Sequence, residues 1–83
     1  YIPSSNSLKN KRGVLKSLIH KMKNKFNVSV CELDQQDMWR RSTLGVACIS
    51  NEQRFVHRMF SDIEKFVDTY SEVEVTDFTV ELL

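Results

Sequence analysis

Apolar residues recur at helical spacing early in the chain. Leu8, Val14, Leu15, Leu18, Ile19, Met22 and Phe26 follow one another so that, at 3.6 residues per turn, they share one side of a helix running from Leu8 to Phe26. Ser7 stands where an N-cap belongs. On the same wheel, Lys9, Arg12, Lys16, His20 and Lys23 form a stripe beside the apolar face, Lys21 and Lys25 lie on its other flank, and only Lys11 turns toward the core side. Gly13 faces outward.

The period then changes. Asn27 to Leu33 mixes β-branched residues with partial alternation, and Thr43 to Ile49 is a short apolar run, so both predict strands. Asp34-Gln35-Gln36-Asp37 joins them as a hairpin connection, with Trp39-Arg40-Arg41 at the entry to the second strand. Ser50-Asn51-Glu52-Gln53 fits the S-x-x-Q capping box and announces a second helix. Its buried stripe is Phe55, Val56, Met59, Phe60, Ile63, Phe66, Val67 and Tyr70. Val73 to Val75 and Phe78 to Leu82 alternate out of phase with each other, which predicts a last strand with a bulge near Thr76-Asp77.

The order read from the residues is therefore α-β-β-α-β. If Tyr1-Ile2-Pro3 is the tail of a first strand upstream of residue 1, the order becomes βαββαβ. That is the ferredoxin-like sandwich of the α+β class, with two helices on one face of an antiparallel sheet. Residues 1–83 are expected to form this single domain. At 83 residues and 41% hydrophobic content the chain can build one small core, marginal alone and helped by self-association.

Charge adds what the elements do not. The net charge of +1 conceals a division: residues 1–41 hold nine Lys/Arg and three Asp/Glu, and residues 42–83 hold three and eight. Such polarity attracts a polyanion to one side or pairs with a partner's opposite side, and it equally describes two solvated faces. Cys31 and Cys48, in separate apolar strands with no C-x-x-C, are expected as buried, reduced thiols in a cytoplasmic protein. No apolar run approaches about 18 residues and no export signal is present, so neither a membrane span nor secretion is expected.

Candidate chemistry is sparse. His20 and His57 lie on different helices with no nucleophile paired to a base, and no metal-ligand spacing or Gly-rich phosphate loop occurs. We expect no catalytic residues, no metal and no cofactor. Leu44-Gly45-Val46-Ala47 offers no aromatic residue where RNA-recognition sheets stack bases. Trp39, flanked by arginines, has two readings: an anchor for a partner, or a large apolar side chain closing the hairpin.

The basic stripe raises a different possibility. Lys9 and Arg12 crowd a helix N-terminus whose dipole is already positive, at a cost of a few tenths of a kcal/mol each. An anion there would offset that cost, because exposed N–H groups at Ser7 to Asn10 and the side chains beside them act together. Lys16 and Lys23 extend the potential along the helix, and Arg40 and Arg41 add to it from the strand entry. A phosphate backbone fits such spacing without base readout. Solubility alone would also account for the lysines.

Several of these residues resemble the YlxP-like family, small bacterial proteins grouped as a domain of unknown function. They are Ser7-Leu8-Lys9 with Lys11-Arg12, Lys25 to Val30, Asp37 with Trp39, and Leu44 to Ala47 followed by Ser50-Asn51. The chain departs from that pattern at Asn10, where the family commonly carries an acid. The resemblance implies a ferredoxin-like fold with a strand ahead of Tyr1. It also implies a gene neighbourhood among translation factors, hence ribosome or RNA association. The expectation is thus a non-enzymatic module contacting ribosomal RNA or a ribonucleoprotein through Lys9, Arg12, Lys16, Lys23, Arg40 and Arg41. The alternative is a protein-interaction module with Trp39 at its interface. A homodimer is expected over the Gly45 and Ala47 strip.

Overall fold

Ser7 starts the first helix as its side chain predicts. In the computed structural model, which describes residues 1–83, the Asn10 N–H donates to Ser7 Oγ at 3.0 Å, and α1 runs from Leu8 to Lys25. Lys23 and Lys25 occupy its last turn, where cations complement the dipole. The helix buries Leu15, Leu18 and Met22 together with Lys11.

β1 (Ser29–Asp34) and β2 (Thr43–Ala47) pair antiparallel, with Ser29 opposite Ala47, Cys31 opposite Gly45 and Asp34 opposite Thr43. The register shifts between Glu32 and Asp34, so Leu33 is the extra residue of a bulge. The chain leaves β1 through Gln35, whose φ of 65° is left-handed, with its N–H held by Asp34 Oδ1 at 2.7 Å. Alternation sends Val30, Leu44 and Val46 toward the helices and leaves Cys31, Leu33, Gly45 and Ala47 on the other face. An added Cβ on Gly45 would lie 2.7 Å from Leu33 Cδ1, so the leucine covers the glycine.

α2 (Gln53–Asp68) turns the expected stripe toward the core only in part, with Ile63 buried, Val56, Met59, Phe60, Phe66, Val67 and Tyr70 half-buried and Phe55 exposed, and it lacks the expected cap. Glu52 is the N-cap and makes no side-chain cap bond, while Ser50 Oγ accepts the Glu52 N–H at 3.1 Å. The serine is spent two residues too early to reach the first turn. Ile63 enters the core beside Leu18, Met22 and Val30. Phe26 and Phe66 meet edge to face with centroids 5.8 Å apart, and Tyr70 Oη donates to Ser17 Oγ at 2.9 Å, so the C-terminal end of α2 and the residues just after it are fastened to the middle and the C-terminal end of α1.

The fold is α+β, with two helices and an open two-stranded antiparallel sheet. The last strand expected over Val73–Val75 and Phe78–Leu82 does not form. Residues 75–83 make no backbone–backbone hydrogen bond, so their alternation finds no ladder to join. Tyr1 and Glu74 do exchange two bonds, N to O, at 2.8 and 2.7 Å. Cys31 also corrects expectation: it is exposed on the open sheet face rather than buried, and Cys48 is half-buried. The alternation that buries Val30 necessarily turns Cys31 outward.

Candidate anion-binding interface

Lys11 is the charged residue that the helix turns inward, and it explains part of the charge at the N-terminal end. Its side chain is 1% exposed and its Nζ lies 3.0 Å from Glu32 Oε2, the one ion pair in the chain. The same ammonium donates to the Gln35 carbonyl at 2.5 Å, and Ser42 Oγ donates to Glu32 Oε2 at 2.6 Å. Helix, hairpin and β2 entry are thereby joined through one carboxylate. A buried charge needs this degree of satisfaction, because an unpaired one would cost several kcal/mol.

Lys9, Arg12, Lys16 and Lys23 behave differently. All four are exposed, and none has a carboxylate within salt-bridge distance. Arg12, Lys16 and Lys23 rim a shallow depression of about 410 Å³ with Ile19, His20 and Glu32, and Lys9 continues the line toward the helix start. From Lys9 to Lys23 the stripe is about 21 Å long at 1.5 Å per residue. His20 Nε2 is engaged with the Asn24 amide at 3.1 Å, inside the same stripe. The Glu32 at the rim is already held by Lys11, so it does not neutralise the outer cations.

The N-terminal turn offers less than the sequence suggests. Ser7 Oγ takes the Asn10 N–H and the Ser7 carbonyl takes the Lys11 N–H, leaving the donors of Ser7, Leu8 and Lys9 free there. The anion-attracting feature is therefore the side-chain stripe more than the helix end.

Arg40 and Arg41 lie apart from that stripe. Arg40 Nε donates to the Ser5 carbonyl at 2.8 Å, and the Arg41 guanidinium stacks 5.5 Å from the Tyr1 ring centroid. Both tie the strand entry to the N-terminal residues. The Tyr1 α-ammonium beside them has its pKa lowered from the ordinary 8.0, first by burial and then by the Arg41 charge, with Glu74 opposing. Trp39 is 56% exposed and Met38 beside it 47%, so the tryptophan does not close the core. Met38 was hidden from a reading of the pattern, since it sits in a polar connection with no period. Leu33, 60% exposed, is likewise revealed only by the bulge that displaces it.

No group of three or more His, Cys, Asp or Glu side chains gathers at metal-binding distance, and no helix is long and apolar enough to cross a membrane. Residues 1–80 match the family described as Protein of unknown function (DUF503). The chain is also 37% identical over 75 residues to the uncharacterized protein YlxP of Bacillus subtilis (strain 168), an alignment that covers 90% of this chain and 82% of that protein. No solved structure matches. With the family pattern spanning all but the last three residues, the chain belongs to the DUF503 family and is YlxP-like.

Proposed function

We propose that the chain is a non-enzymatic, cytoplasmic module that binds RNA, or the ribosome, through the outward stripe of α1. The observation that carries this reading is a line of four exposed cations, Lys9, Arg12, Lys16 and Lys23, without a single acidic partner. Charges placed only for solubility are usually interspersed with the opposite sign. A stripe about 21 Å long can follow a phosphate backbone, neutralising charge without reading bases.

The test is binding of a single-stranded RNA such as poly(U) across a salt series. Four phosphate contacts predict that log K falls against log salt with a slope near −3, about 0.7 for each contact. Lys9→Glu, Arg12→Glu and Lys16→Glu together should abolish binding. Absence of RNA or ribosome association even at low salt would remove the reading.

A second reading is favoured by the exposure of Trp39, Met38 and Leu33 on the hairpin. Large apolar side chains at a surface suit a protein partner, with tryptophan a frequent energetic anchor. Such a complex would tolerate salt and survive the three Glu substitutions, but lose affinity on Trp39→Ala.

The finer form of the fold, βαββαβ, belongs with this proposal. What supports it is the position of residues 1 and 2, bonded to Glu74 on one side and to Arg40 on the other, as a strand in the middle of a sheet is bonded.

A further inference from the structure

His20 stands inside the cationic stripe without a fixed charge of its own. On α1 it follows Lys16 by four residues and precedes Lys23 by three, so the three side chains are neighbours on one face. It is exposed, and it lines the shallow depression together with Arg12, Lys16 and Lys23. The other histidine, His57, lies on α2 and takes no part in the stripe.

The ring has one nitrogen engaged and one to offer. Nε2 lies 3.1 Å from the Asn24 amide nitrogen, one turn further along the helix. In the neutral ring Nε2 accepts that N–H and the proton sits on Nδ1. In the imidazolium the amide turns over, its oxygen accepts from Nε2, and Nδ1 again carries a proton. Asn24 thus holds the ring in either form, and Nδ1 bonds to no other group of the chain.

The charges that face His20 come from two elements. Lys16, Lys23 and, two turns away, Arg12 stand on α1, and Glu32 reaches the depression from β1. That carboxylate is committed to Lys11 Nζ at 3.0 Å and to Ser42 Oγ at 2.6 Å, and it forms no ion pair with the histidine. α2 and the Tyr70 that follows it pack on the flank of Ser17 and Lys21 and bring no titratable group to the depression. A proton on His20 therefore adds a positive charge that no acid of the chain balances.

We infer that His20 is a fifth phosphate-contact residue of the stripe, engaged as the imidazolium, so that RNA binding takes up a proton from solvent. This rests on the RNA-binding reading of α1 and gives that site its pH dependence. Imidazole changes charge between about pH 5 and 8, whereas Lys and Arg stay charged throughout that range. A phosphate oxygen between Lys16 and Lys23 meets the Nδ1–H, and its negative charge favours the protonated ring. Proton and polyanion then raise each other's affinity by the same factor.

The experiment titrates the protein with poly(U), whose phosphodiester charge is constant over this range, across a salt series at about pH 5.5 and about pH 8. Affinity at low salt should be about ten-fold higher at the lower pH, the size of one charge-assisted contact. The slope of log K against log salt should steepen there by about 0.7, the increment of one further phosphate. His20→Gln should give the shallower slope at both pH values and His20→Lys the steeper slope at both, while His57→Gln should behave as the unaltered chain does. Followed by NMR on the unaltered chain, the midpoint of the His20 ring titration should rise by about one pH unit with poly(U) bound, the counterpart of a ten-fold coupling. Equal binding at both pH values, or a pH dependence that survives His20→Gln, would overturn proton uptake at His20 and leave the stripe standing. Absence of binding at either pH would overturn the stripe and this inference together.

Discussion

Lys11 shows how one residue can satisfy an apparent contradiction in charge. Its position near the positive end of α1 is unfavourable by the dipole alone, yet its Nζ is held by Glu32 and the Gln35 carbonyl. Lys11→Met, similar in volume, should destabilise the chain by about 3 kcal/mol, since it strands the Glu32 carboxylate at a partly buried site. Urea unfolding measures this, and an unchanged midpoint would dismiss the pair as a stabilising contact.

At the scale of elements, the two helix starts make opposite predictions from similar sequence. Ser7→Ala removes a formed cap and should cost about 1 kcal/mol, whereas Ser50→Ala removes only a bond to the Glu52 N–H ahead of the helix and should cost less. Equal effects in a denaturant series would contradict the assigned caps. Helices and the hairpin were legible because their periods are local: Leu15, Leu18 and Met22 declare a face without reference to anything distant. The C-terminal strand was not, because alternation in Phe78-Thr79-Val80 states a readiness to pair and says nothing of whether a partner is present. The Ser50 box failed for a related reason, since a three-residue spacing cannot reveal that the serine already serves a turn. In the candidate interface, the Lys9 to Lys23 stripe followed from the wheel. The diversion of Arg40 to Ser5 and of Arg41 to Tyr1 did not, because both contacts join residues more than thirty positions apart.

The whole molecule is under-buried for its size. Eight of 83 residues are buried, and the outer face of the sheet offers Cys31, Leu33, Gly45 and Ala47 with little polar cover. A second copy packed on that face would add apolar burial at about 25 cal/mol per Å². A twofold arrangement is the one such a self-complementary face favours. Sedimentation equilibrium at micromolar concentration should therefore return twice the chain mass, with Cys31 shielded from alkylation relative to Cys48. A monomer mass with fully reactive Cys31 would refute it. In such a pair the α1 stripes lie on the opposite side of each sheet and remain free for a polyanion.

The Lys11–Glu32 contact has a further consequence, for which strand pairings the chain admits. Glu32 sits immediately before the bulge at Leu33, on a two-stranded hairpin whose outer face is nearly as apolar as its inner one. Hydrophobicity alone discriminates weakly between such faces, and a slip of one residue would exchange them. In the slipped alignment Leu33 would stand where Glu32 meets Lys11, leaving the ammonium buried and alone. The ion pair thus acts as a key that fits one alignment of β1 against the helix and rejects its neighbour. Two well-packed apolar residues in its place could equal its stability and still surrender that selectivity.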